Sequence, residues 1–108
     1  GRRPTQMAPD ESVYADPAML RITFGTAWNE LEILSEVKVL ETVRGYAPVV
    51  VVGHDGIEEL MFVGAASLSR PVEALRKANQ GKLTGLKVRI RKAAEHRTAP
   101  YECELLGD

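Results

Sequence analysis

Nine of the fourteen Lys and Arg residues fall between Arg70 and Arg97, a stretch that holds only two acids, Glu73 and Glu95. That stretch is net positive by seven charges. The rest of the 108-residue chain, with five bases against thirteen acids, is net negative by eight. A near-neutral total therefore hides a polarised molecule, and a one-sided positive field is the footprint of a surface that meets phosphate groups. Lys87, Arg89 and Arg91 alternate with Leu86, Val88 and Ile90, which puts the charges on one face of a strand. Lys92, His96 and Arg97 follow in a polar loop.

Residue types that would carry covalent or metal chemistry do not assemble in the same way. His54 and His96 are far apart and lack a cysteine cluster, which argues against a zinc site. Gly81-Lys82 lacks a phosphate loop's companions: Leu83 stands where Ser or Thr is needed, and Arg76 where the leading glycine belongs. Cys103 sits at an inward strand position and reads as a small core residue. Glu58 and Glu59 are adjacent on a strand, so they point to opposite faces and form no acid/base pair. The expectation is a protein that is not an enzyme, with no cofactor and no metal. A 44% apolar composition supports one small core, and a single cysteine builds no disulfide framework. No apolar run approaches the ~18 residues of a membrane span, so a cytoplasmic location is expected.

The elements that must position the charges follow from periodicity. Residues 1–19 hold Pro4, Pro9 and Pro17 and read as a flexible lead-in, from which Arg2 and Arg3 reach a polyanion or simply stay in solvent. Residues 20–24 read as a short strand. Residues 31–43 alternate, with Leu31, Ile33, Val37, Val39 and Val43 on the inner face and a bulge expected at Ser35. Arg44-Gly45-Tyr46 makes a turn. Residues 48–52 form a β-branched strand, and Asp55-Gly56 supplies a type I′ hairpin that sets Val51 opposite Leu60 and Val49 opposite Phe62. Leu68, Val72 and Leu75 form a helical stripe, capped by Ser67 or Ser69, with Pro71 in the first turn and Gly81 at the end. A strand from Leu86 and a last strand over 100–106, with Tyr101, Cys103 and Leu105 inward, complete a β-β-β-α-β-β order.

That order predicts a mainly β protein: a five-stranded OB-fold barrel with one helix between strands three and four, occupying residues 20–108 as a single domain. In that fold a ligand crosses strands two and three, between the loop joining strands one and two and the loop joining strands four and five. Arg44 and Tyr46 lie in the first loop; Lys92, His96 and Arg97 lie in the second. The candidate contacts are therefore Arg44, Tyr46, Lys87, Arg89, Arg91, Lys92, His96 and Arg97, with Trp28 as a further stacking platform. For Arg89 and Arg91 a second reading stands beside this one: cross-strand ion pairs with Glu104 and Glu102.

The layout of residues 31–43 with Arg44-Gly45-Tyr46, the hairpin over 49–63, and the ending Gly85-Leu86-Lys87-Val88-Arg89-Ile90 with Tyr101-Glu102-Cys103-Glu104-Leu105 resembles the small OB-fold single-stranded-DNA-binding proteins of phages and archaea, related in fold to replication protein A. The resemblance implies non-catalytic binding of single-stranded DNA in replication or recombination. Those proteins often place aromatics on strands two and three, whereas strand two here is nearly all valine. The alternative is an interaction or assembly module, including a phage structural component. There the acidic part of one copy would meet the basic face of another in a homo-oligomer. RNA is as compatible as DNA with the residues themselves, and no membrane partner is expected.

Overall fold

The structure is a computed structural model that describes residues 13–107; the expected contacts of Arg2 and Arg3 lie outside the described residues. The described residues are mainly β, with six antiparallel strands in one sheet and one helix among them. The elements are β1 (Asn29–Ile33), β2 (Lys38–Thr42), β3 (Gly45–His54), β4 (Ile57–Phe62), α1 (Ala66–Ala78), β5 (Lys87–Lys92) and β6 (Tyr101–Leu105). β3 is the hub. Its one edge pairs with β1 and β2, its other edge with β4, and β1 continues through β5 to β6. The sheet is not closed.

The sixth strand arises because the expected long first strand breaks at Ser35, whose hydroxyl accepts the Val51 N–H at 2.9 Å in place of a ladder bond. Past that break the inner-face pattern fails: Val37 and Val43 are exposed, and Leu40 joins a second cluster on the outer face of β3 and β4. The β3–β4 register is as expected, with Val51 opposite Leu60 and Val49 opposite Phe62. Asp55 and Gly56, at φ 53 and 77, supply the two positive dihedrals that a type I′ turn requires. On the inner face Ile33, Val50, Val52, Met61, Val88 and Ile90 are fully buried and meet Leu68 and Val72 of α1.

Two expectations at the helix and the last strand are corrected. Ser67 and Ser69 lie inside α1; its N-cap is Ala65, which makes no side-chain cap bond, and Pro71 falls within the helix. Leu105 is exposed, whereas Tyr101 and Cys103 do pack against the core. After α1 the chain is held by Glu36, 47 residues earlier, whose carboxylate accepts the Leu83 and Thr84 N–H groups and the Thr84 hydroxyl. Partial burial pushes this carboxyl up, but those hydrogen bonds and the Arg76 field outweigh it and hold it below its ordinary value.

Residues 13–25 form a strap. Its first part pairs with the free edge of β2 (Ala15 N–H to Val39 O, 2.8 Å; Val39 N–H to Val13 O, 2.7 Å) and its second with the free edge of β4 (Ile22 N–H to Leu60 O, 2.9 Å; Leu60 N–H to Leu20 O, 2.8 Å). Ala15 and Met19 cover Val49, Leu60 and Phe62 between those edges. Residues 13–19, grouped by composition with the lead-in, thus lie against the sheet. Of residues 20–24, only an isolated bridge between Arg21 and Leu60 is strand-like.

Candidate nucleic-acid interface

The outer face of β1, β5 and β6 carries the charge comb, and pairing register fixes its neighbours. Arg89 stands between Glu30 of β1 and Glu104 of β6; Lys87 stands beside Glu32, and Arg91 beside Glu102. Arg89 donates to Glu104 at 2.6 Å and Arg91 to Glu102 at 2.7 Å. Both guanidinium groups also lie over the Trp28 ring, 4.2 and 4.3 Å from its centroid. Three cations face four carboxylates. Of the two readings open for Arg89 and Arg91, the cross-strand pairs are the ones formed, and Trp28 has its π face engaged by them.

A second basic region has different neighbours. Where the strap passes from β4 towards β5, the Lys92 N–H donates to Gly25 O at 2.8 Å, which fixes the strap beside the start of loop 93–100. A cleft of about 290 Å³ opens here, lined by Arg21, Phe24, Phe62, Leu68, Lys92 and Tyr101, together with Ile22 and Thr23. The Arg21 guanidinium lies 4.2 Å from the Phe62 centroid, and Lys92 Nζ lies 5.9 Å from that of Tyr101. Phe24 meets Tyr101 edge to face at 5.9 Å. Among the described residues no carboxylate lines this cleft. The loop leaves from Lys92 and returns to Tyr101, which are register partners, and the Ala93 N–H to Pro100 O bond of 2.9 Å pins its base. His96 and Arg97 are exposed on it, His96 Nδ1 lying 3.0 Å from the Thr98 hydroxyl.

The β2–β3 turn is Val43-Arg44 rather than Arg44-Gly45-Tyr46: Arg44 is exposed in it, and Tyr46, also exposed, is the second residue of β3, opposite Glu41. Gly45 has φ 116, and the Thr42 hydroxyl donates to Gly45 O at 2.7 Å while accepting the Arg44 N–H. Tyr46 is 65% exposed and has a neighbour that periodicity did not reveal. Tyr14 of the strap, 50% exposed, places its ring centroid 6.3 Å away at 49°.

The structure therefore separates the sequence-predicted residues into three groups. Trp28, Lys87, Arg89 and Arg91 share the outer face; Lys92 lines the cleft, with His96 and Arg97 on the adjoining loop; Arg44 is in the β2–β3 turn, and Tyr46, just after it on β3, meets Tyr14 of the strap. Arg21, Phe24 and Tyr14 were missed. The alternation over residues 20–24 was the one available signal for Arg21, since it sets that residue apart from the inward Ile22 and Phe24.

Other chemistry is sparse. Burial, then the Glu104 charge, pushes the Cys103 thiol up to about 11, so it stays protonated and unreactive at neutral pH. Among the described residues no three His, Cys, Asp or Glu side chains form a group able to hold a metal, and no helix is long and apolar enough to cross a membrane. Compared with family models, with curated proteins and with solved structures, the chain matches none.

Proposed function

We propose that this chain is a non-catalytic OB-type module that binds single-stranded nucleic acid, DNA in the first instance. The observation that carries the reading is the cleft beside Lys92, where two cations and three aromatic rings meet and no described carboxylate lines the wall. Phosphate-binding charge interleaved with rings is the combination that single strands require, each stacked base being worth ~1–3 kcal/mol. Counting β1 and β2 as halves of one bent strand, the element order is that of a five-stranded OB barrel, with the strap in the seam between β4 and β5. The turn at Arg44, with Tyr46 just after it on β3, and the loop bearing His96 and Arg97 are then the two flanking segments.

The route differs from the one charge counting indicates. Arg89, Arg91 and Trp28 are occupied with one another and with glutamates, and Lys87 stands opposite Glu32, so the strand follows the strap from the Tyr14–Tyr46 pair to Arg21 and Lys92. Seven residues of extended chain reach at most about 25 Å. That length suits the lower end of the ~4–16 nucleotides bound per OB fold.

Fluorescence anisotropy of a labelled oligo-dT, titrated with protein across a salt series, tests the reading. With Arg21, Arg44, Lys92 and Arg97 on phosphates, log K falls against log salt with a slope of about −3, from ~0.7 per single-strand contact. Absence of binding at low salt removes the proposal. Parallel titrations with duplex DNA and RNA identify the preferred strand.

A further inference from the structure

A second surface lies on the other side of α1. Val37, Pro48, Val63, Val72 and Leu83 line an aliphatic socket of about 160 Å³. Ser69 and Glu73 line both this socket and an adjoining open groove with Arg70 and Lys77. Arg70 and Lys77 are two turns apart on one face of the helix, about 10.5 Å. The one acid between them, Glu73, is held by both Nε and a terminal nitrogen of Arg76. The socket contains no ring for a base to stack on, so its chemistry suits a branched aliphatic side chain flanked by carboxylates.

The molecule carries that complement at its opposite end. The Asp55-Gly56 turn leaves Ile57 58% exposed, with Asp55 and Glu58 exposed on either side. His54 stiffens the tip, its Nδ1 lying 3.2 Å from Glu59 and its Nε2 3.6 Å from Asp55. β4 runs from Ile57 at the tip towards Val63 in the socket, so tip and socket sit about 20 Å apart along one ribbon at ~3.3 Å per residue. We propose that copies of this chain associate head to tail, the β3–β4 tip of one inserting Ile57 into the socket beside α1 of the next, with Asp55 and Glu58 meeting Arg70 and Lys77. Such a heterologous contact builds an open chain or a ring.

Sedimentation velocity without nucleic acid tests this at low and high salt, up to about 0.5 mM protein, a range that registers contacts of millimolar affinity. The expected result is concentration-dependent assembly that salt weakens and that Ile57→Asp, or Arg70→Glu with Lys77→Glu, reduces at least tenfold. Mixing those two variants, one with a dead tip and one with a dead socket, yields one-to-one dimers and nothing larger. Circular dichroism verifies that each remains folded. A wild-type chain that stays monomeric throughout overturns the proposal. So does assembly that survives both variants, or a mixture that stays monomeric.

Discussion

Two basic regions of this molecule contain nearly the same side chains and are in opposite states. On the outer face of β5, Arg89 and Arg91 each have a glutamate within 2.7 Å and share Trp28. At the end of the same strand, Lys92 lines a cleft together with Arg21 and three rings, and no described carboxylate is among its walls. One residue of register separates them. Charge density along a sequence therefore says little about what a ligand meets; the strands that flank a cation decide it.

The comparison breaks most readily at the cleft. Replacing Arg21 with Gln and Lys92 with Glu lowers oligonucleotide affinity about 10–100-fold and reduces the salt slope by about 1.4, two contacts at ~0.7 each. Anisotropy titration over a salt series measures both. If Arg89→Gln with Arg91→Gln has the larger effect, the assignment of the two regions is reversed. A smaller change is expected from Arg89→Glu, which sets a third carboxylate between Glu30 and Glu104 and lowers stability by about 1–2 kcal/mol in urea unfolding, from like-charge strand pairs and a lost ion pair. Smaller still is the coupling of Arg91 to Glu102. As an exposed pair it gives ~0.2–1 kcal/mol in a double-mutant cycle, and the value shrinks with salt. Trp28 emission follows these outer-face substitutions and not added oligonucleotide.

A pH series separates a third carboxylate from both regions. Glu36 has a folded pKa below its unfolded one, so its contribution to stability is complete above the unfolded value and is lost as pH falls through the folded value. Glu36→Gln removes that part of the acid sensitivity, so the stability gap between the variant and wild type narrows as pH falls from 7. Unfolding midpoints at pH 3 and pH 7 for both chains check it.

Much of the sheet was legible because its signals are local. Asp55-Gly56 admits few turns, and its register follows; Leu86, Val88 and Ile90 alternate cleanly over one strand; Leu68, Val72 and Leu75 repeat at the helical period. Less legible was anything held by main-chain groups alone. The strap is fixed by backbone bonds at Val39 and Leu60, which any residue can make, and its one buried residue over the outer face is Ala15, too small to mark a core position. The cleft needs Arg21, Phe62 and Lys92 together, 41 and 30 residues apart in sequence, and no period links them. The state of Arg89 and Arg91 hung on the β5–β6 register. An eight-residue loop does not fix that register as a two-residue turn does.

The strap has a bearing on handling as well. β2 and β4 would otherwise each present a row of open amide and carbonyl groups, the template on which foreign strands add and amyloid-type aggregates grow. By lying along part of both, residues 13–22 act as a built-in sheath. A truncation that begins at Leu20 would leave the β2 side bare, and would be expected to lose solubility before it loses its fold.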